Sequence, residues 1–183
     1  MAQVALRTRL TYKDYCLIPN DGRRHEILGG RHHMTPAPET PHQHVSKRVF
    51  VILLRFFEEG GRGRVFYAPI DVILSDEDIV QPDLVVVTIL TQIVRRGIEG
   101  PPTVIIEILS PSTAQYDRAL KAERYAFFGV PHYWLVDPEA RTFECYALEN
   151  GQYILRVSGR DRDTVTPPDF AGLTIPLSEI WPH

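Results

Sequence analysis

The sequence predicts a mixed β-sheet flanked by helices, of the α/β or α+β class, in a single domain over residues 1–183. The chain has 183 residues, of which 44% are hydrophobic and 23% charged, a balance typical of a folded domain. A strand at 103–109, a helix at 114–128 and a strand at 132–136 would form a right-handed βαβ unit if the two strands are parallel. That unit is the expected centre of the fold.

The N-terminal third contains three predicted elements. A Thr-x-x-Asp pattern beginning at Thr11 has the spacing of a capping box and predicts a short helix. Two short strand-like runs around Gly29-Gly30 predict a tight hairpin, with Glu26 on its first strand. Thr40-Pro41 supplies an N-cap and first helical position, after which apolar residues recur every three or four positions until a pair of glycines. This is the best helix in the sequence.

Four further segments have strand patterns. Residues 65–74 and 79–87 predict two strands joined by a polar turn, with Asp83 inside the second. Residues 142–148 and 153–157 predict two more strands near the C-terminus. Between these pairs of segments lies the predicted βαβ unit.

The central strand and its following helix each carry a charged residue of interest. Residues 103–109 are almost continuously apolar, which is typical of a strand buried on both faces, and Glu107 interrupts the run. The helix at 114–128 ends before a glycine and places Lys121 near its middle.

Composition narrows the possible functions. The 20 Lys and Arg against 23 Asp and Glu give a formal net charge of -3, so any nucleic-acid site must be a local patch. The longest wholly apolar run is far shorter than the roughly 20 residues that span a bilayer. Residues 1–10 lack the apolar core of a secretory signal, and the two cysteines fit no zinc spacing, so we expect a cytoplasmic protein with reduced thiols.

Asp83 and Glu107 are the first candidates for a functional site. An ionised carboxylate inside an apolar strand is costly unless a cation or several donors meet it. A shared Mg²⁺ or Mn²⁺ would explain the pair, because hard cations take one or two carboxylates together with water and phosphate oxygens. Such a site favours phosphodiester hydrolysis, and Lys121 is the candidate for orienting water or stabilising negative charge.

A series of motifs runs along the chain in a recognisable order. They are Glu26, then Gln81-Pro82-Asp83, then Glu107 to Thr113, then Asp117, Lys121 and Tyr125, and finally Gly129 to Pro138. With these motifs the chain resembles the Uma-type restriction endonucleases, a family placed in the PD-(D/E)XK nuclease superfamily. The resemblance implies a restriction-endonuclease-like fold and DNA as substrate, with Glu26, Asp83 and Glu107 around the metal.

The sequence departs from the superfamily signature at one position. Leu109 stands where the lysine two residues after Glu107 is expected. The resemblance implies that the functional lysine has moved to the following helix, where Lys121 lies. Asp117, four positions earlier, would share a helix face with Lys121 and could hold it toward the site.

Substrate contacts and assembly are predicted more broadly. His44 near the start of the long helix, together with Ser110 and Ser112, could contact a substrate phosphate. Nine arginines could furnish a local DNA-binding surface: Arg23, Arg24, Arg31, Arg62, Arg64, Arg95, Arg96, Arg118 and Arg124. Cleavage of both strands of a duplex would be served by a two-fold homodimer.

Two other functions are compatible with the same residues. The absence of the usual lysine and the mildly acidic total charge suit a noncatalytic DNA-binding or protein-interaction module that retains the fold. Metal-free acid/base hydrolysis by the same carboxylates, as in glycosidases, is the second. The composition alone also allows Lys121 to be a solvated lysine and Glu26 an ordinary partner of nearby arginines.

Overall fold

The computed structural model describes residues 9–19, 21–111 and 113–182. Residues 1–8, part of the segment predicted to lack a secretory signal, and Ser112, a predicted phosphate contact, lie outside the described residues. Within them, no helix is both long and apolar enough to cross a membrane.

The elements alternate along the chain in the predicted order. The strands are β1 (Arg24–Leu28), β2 (Arg31–Thr35), β3 (Arg64–Tyr67), β4 (Val72–Ser75), β5 (Asp78–Val80), β6 (Leu84–Val87), β7 (Ile93–Val94), β8 (Gly97–Glu99), β9 (Val104–Ile108), β10 (His132–Asp137), β11 (Thr142–Glu149), β12 (Gln152–Arg160), β13 (Thr164–Val165) and β14 (Ile175–Pro176). The α-helices are α1 (Tyr12–Tyr15), α2 (Thr40–Leu53), α3 (Ala114–Tyr116) and α4 (Ala122–Phe127). Two π-helical segments, Leu54–Glu59 and Asp117–Lys121, continue α2 and join α3 to α4. Two 3₁₀ turns, Leu90–Gln92 and Leu177–Glu179, complete the set.

The strands form two mixed six-stranded sheets and one small two-stranded sheet. The first sheet has the order β2-β1-β5-β4-β8-β7, and the second has the order β12-β11-β10-β9-β6-β3. β9 and β10 pair in parallel, which confirms the pairing expected of the βαβ unit. The hairpin of β1 and β2 around Gly29-Gly30 is also confirmed, and both glycines have positive φ, as a tight turn of this kind requires.

The strands predicted at 65–74 and 79–87 are wrong in extent, because each is two strands. β3 and β6 belong to the second sheet, whereas β4 and β5 belong to the first, so the chain passes from one sheet to the other and back. Pro69 and Pro82, which have no N–H to donate to a ladder, lie at the two crossing points. Asp83 consequently lies just before β6 and not inside a strand.

Two smaller expectations also change. Glu39, not Thr40, is the N-cap of α2, and Thr40 is already helical. The basic, glycine-containing segment that ends at Pro101-Pro102 has the composition of a loop, but it contains the hairpin of β7 and β8. Strands of two and three residues are too short to show a period of two, so the pattern could not reveal them.

The alternation of side chains along β9 determines which helix the Glu107 side chain faces. Ile106 packs with Val49 and Leu53 of α2 on one face of the second sheet. Ile105 packs with Tyr125 of α4 on the other. Because side chains alternate along a strand, Glu107 lies on the same face as Ile105, toward the segment that carries Lys121.

Asp78 ties the first sheet to α4. Its carboxylate accepts hydrogen bonds from the backbone amide of Gly29 at 2.8 Å, from the Ser75 hydroxyl at 2.9 Å and from Arg124 Nε and Nη2 at 2.8 and 2.6 Å. The Asp78 side chain is only 2% exposed, so these donors replace its water.

We expect Asp78→Asn to lower the free energy of unfolding by about 3–5 kcal/mol, because it leaves the Arg124 guanidinium partly buried without its anion. Urea denaturation measures the effect. Asp76→Asn changes an exposed carboxylate in the same turn and is the matched control, for which we expect a change within about 0.5 kcal/mol. Equal stability of the two variants would contradict the structural role of Asp78.

Candidate active site

A buried lysine joins three carboxylates at the centre of the molecule. Lys121 Nζ lies 2.9 Å from Glu107 Oε1, 3.1 Å from Glu26 Oε1 and 3.6 Å from Asp117 Oδ1. All four side chains are buried. The structure therefore brings together four of the residues that the sequence singled out, from β1, β9 and the π-helical segment before α4.

Glu26 reaches this cluster from the first sheet. Glu26 lies in the middle of β1, opposite His33 of β2. Its Oε1 also accepts a hydrogen bond from the backbone amide of Gln81 at 2.7 Å. Its Oε2 is buried and has no hydrogen-bond partner among the described residues. The β1–β2 hairpin thus supplies one acidic side chain to a site whose other acids come from the second sheet and the helix.

Asp83 occupies a separate set of donors beside this cluster. Its Oδ1 accepts a hydrogen bond from Arg24 Nη1 at 2.7 Å, and its Oδ2 lies 3.1 Å from His42 Nε2 and accepts from the Ile108 amide at 2.8 Å. Burial alone would raise the pKa of Asp83, but His42, Arg24 and the Ile108 amide hold that pKa well below its usual range. Asp83 is therefore an anion. Its bond to the backbone amide of Ile108, the residue after Glu107, holds its carboxylate close to the Glu107 backbone.

Glu107 is protonated more readily than Asp83. Burial raises the pKa of Glu107 to about 8, against the attraction of Lys121, and the nearby Asp117 carboxylate adds to the rise. The Tyr125 hydroxyl donates to Glu107 Oε1 at 2.9 Å, the same oxygen that Lys121 contacts. Burial lowers the pKa of Lys121, but Glu107, Glu26 and Asp117 together raise it well above its ordinary value, so Lys121 remains an ammonium ion.

A cavity of about 240 Å³ lies beside these groups, and Glu26 is not among its lining residues. Asp83, Glu107, Asp117 and Lys121 all line it. Ser110 also lines the cavity and shares a hydrogen bond of 3.0 Å with the Thr113 hydroxyl, so it stays a candidate for phosphate contact. The arrangement places anions, a cation and hydroxyl groups around a space large enough for a phosphate.

His44 does not line this cavity, whereas His42 does. His42 precedes Val45 by three residues and Val49 by seven, so it lies on the buried face of α2. That spacing is the signal that would have selected His42 from the sequence. The pairing of Arg24 with Asp83 had no such signal, because the two residues are 59 positions apart.

The donor set suits a divalent cation with two protein carboxylates. Among the described residues, no three His, Cys, Asp or Glu side chains are grouped so that they could hold a metal ion, and Glu26 does not line the cavity that Asp83 and Glu107 share. Asp83 and Glu107 nevertheless line the same cavity, and Glu107 uses only Oε1 for Lys121 and Tyr125. Two carboxylates completed by water and phosphate oxygens are a shell that Mg²⁺ accepts.

Comparison with known proteins assigns the chain to a family. The model of the Uma2 family, "Putative restriction endonuclease", matches residues 11–178. No curated protein matches the chain. The crystal structure of a putative nuclease belonging to DUF820 from Anabaena variabilis ATCC 29413 superposes with a TM-score of 0.76 at 19% identity, over 94% of this chain and 97% of that chain. The likeness confirms the predicted fold class, and the chain belongs to the Uma2 family of putative restriction endonucleases.

Proposed function

We propose that the protein is a metal-dependent DNA endonuclease in which Asp83 and Glu107 hold Mg²⁺ or Mn²⁺. The observation that carries the proposal is the buried ammonium group of Lys121, which contacts Glu107 and Glu26 beside a cavity that Asp83 also lines. Membership of the Uma2 family supports the same reaction class. At this place a divalent ion would polarise a phosphoryl oxygen and acidify a water molecule.

The role of Lys121 follows from its charge. Because its raised pKa keeps it protonated, Lys121 can donate hydrogen bonds and stabilise negative charge that develops on the phosphate, but it cannot accept the proton of water. Glu26 and Asp117 position the ammonium group through their contacts at 3.1 and 3.6 Å. Leu109, at the usual lysine position, is 3% exposed and packs in the core, so the cation comes from the helix instead.

Arg24 and His42 are positioning residues for Asp83. Their hydrogen bonds keep the Asp83 carboxylate ionised and fix its orientation at the edge of the cavity. His42 Nδ1, the other ring nitrogen, is buried without a hydrogen-bond partner among the described residues. Asp83 is thus prepared to bind a cation without first losing a proton.

Calorimetric titration with Mn²⁺ tests the proposal and its dependence on pH. Below a pH of about 8 a proton competes for Glu107, so we expect Mn²⁺ affinity to rise with pH by up to about tenfold per unit between pH 6 and 8. Glu107→Gln should bind weakly and without this dependence. Absence of heat for the wild type, with DNA binding that survives Asp83→Asn, would instead support the noncatalytic module.

Homodimerisation belongs to the same proposal, because cleavage of both strands of a duplex is served by two related sites. We expect light scattering in dilute solution to give twice the mass of the chain. A monomeric mass would contradict dimerisation but would leave the proposed roles of the site residues unchanged.

A further inference from the structure

A second and larger cavity adjoins the candidate active site. Its volume is about 690 Å³, and Arg24, His42 and Asp83 line both cavities. We call it the Tyr67 cavity, because Tyr67 at the end of β3 lies on its wall. A polynucleotide whose scissile phosphate lay at Asp83 could continue directly into this space, which has the size of typical small-ligand pockets.

The Tyr67 cavity is basic. Arg23, just before β1, and Arg95 with Arg96, in the turn between β7 and β8, line it from different elements. Arg23 is paired with Asp21 at 3.9 Å and Arg96 with Glu99 at 2.6 Å, whereas Arg95 is exposed and forms no ion pair with any residue that the structure describes.

Two carboxylates, Asp71 and Asp83, line the same wall, and neither forms an ion pair with Arg95. Asp71 Oδ1 accepts hydrogen bonds from the Tyr15 hydroxyl at 2.7 Å and from Gln81 Nε2 at 2.8 Å, and Asp83 is paired with Arg24. Four arginines and two aspartates line the wall, and Arg95 is the lining arginine that pairs with no carboxylate of the described residues, so it is available to a phosphate.

Tyr67 adds an aromatic surface to this basic wall. Its side chain is 63% exposed, which is unusual for a ring of this size and leaves a face open to solvent. The Tyr67 and Phe50 rings pack edge to face, with centroids 5.1 Å apart and planes at 80°, and this contact with α2 helps to fix the orientation of the Tyr67 ring. An exposed, supported ring beside arginines is the combination that binds unpaired bases, because every base offers a π-face.

We propose that the Tyr67 cavity binds an unpaired nucleotide next to the scissile phosphate, with its base stacked on Tyr67 and its phosphate near Arg95. In a duplex the faces of the bases are covered by their neighbours, so this site selects single-stranded or locally unpaired nucleic acid. The position of the scissile phosphate rests on the proposed function, whereas nucleotide binding in the cavity does not require cleavage.

Fluorescence anisotropy with labelled oligonucleotides in EDTA tests this proposal. Against a 12-nucleotide single strand we expect Tyr67→Ala to weaken binding by roughly 5- to 100-fold, and Tyr67→Phe, which keeps the ring, to stay within about twofold of the wild type. Arg95→Ala should weaken binding and reduce its salt dependence by about one phosphate contact. Phe127→Ala is the matched control, because Phe127 is 74% exposed and has Arg124 over its ring but lies outside the cavity.

The outcomes separate this proposal from the proposed function. Binding by Tyr67→Ala within twofold of the wild type, or equal loss in Phe127→Ala, would overturn the cavity site, as would tighter binding of the matching duplex. Tighter binding of a single-stranded RNA than of the DNA would identify RNA as the source of the unpaired nucleotide and support the site. Failure of the wild type to cleave any substrate would overturn the proposed nuclease and leave these binding results in force.

Discussion

Replacement of Lys121 by alanine is expected to lower the free energy of unfolding by about 3–5 kcal/mol. The substitution removes the cation that lies within 3.6 Å of carboxylate oxygens of Glu26, Glu107 and Asp117, and it leaves those acids buried. The loss should shrink as the pH falls, because carboxyl groups with raised pKa take up protons and no longer need a cation. Urea denaturation at pH 5 and pH 8 measures both effects.

Lys47→Ala is the matched control for this prediction. Lys47 lies in α2 and is exposed, so its loss should change the free energy of unfolding by less than about 0.5 kcal/mol. A Lys121→Ala protein as stable as Lys47→Ala at pH 8 would mean that the buried carboxylates are neutral without a cation. The interpretation of Lys121 as the charge partner of the site would then be wrong.

Substitution of Glu107 by glutamine is expected to reduce DNA cleavage by at least about 100-fold while the fold is kept. Glutamine preserves the shape of the side chain and an acceptor for the Tyr125 hydroxyl, but it removes the charge that a divalent cation requires. Because burial already favours the protonated form of Glu107, a neutral side chain should cost no more than about 2 kcal/mol of stability.

Glu149→Gln controls for the removal of one negative charge. Glu149 lies at the exposed end of β11, pairs with Arg156 and does not line the cavity that Glu107 lines. We expect this variant to cleave at the wild-type rate. Cleavage by Glu107→Gln at the rate of Glu149→Gln would remove Glu107 from the reaction, whatever the stability of the two proteins.

The sequence pattern was sufficient where the position of a candidate residue depends on a single helix, strand or turn. A carboxylate in an apolar strand identified Glu107, and a spacing of four residues predicted that Asp117 would approach Lys121, which it does at 3.6 Å. The hairpin glycines likewise placed Glu26 on β1. Each of these inferences needs only the local period of a strand, a turn or a helix.

The pattern was insufficient where distant elements meet. Two consecutive runs of strand-forming residues each divide between the two sheets, and only the packed structure shows that Pro69 and Pro82 mark the divisions. The same holds for Arg24 and His42, which reach Asp83 from β1 and α2 across separations of 59 and 41 residues. The sequence did not single out Tyr67 for the same reason. The exposure of its side chain depends on where β3 ends relative to the Tyr67 cavity.

Incubation of the purified protein with supercoiled plasmid and with single-stranded DNA, in Mg²⁺, Mn²⁺ or EDTA, tests the central claim most directly. The proposed site predicts cleavage in the presence of a divalent ion and none in EDTA, whereas a preference for single-stranded DNA follows only from the Tyr67 cavity. Cleavage that persists in EDTA, or no cleavage of either substrate with either metal, would contradict a metal-dependent nuclease at Asp83 and Glu107.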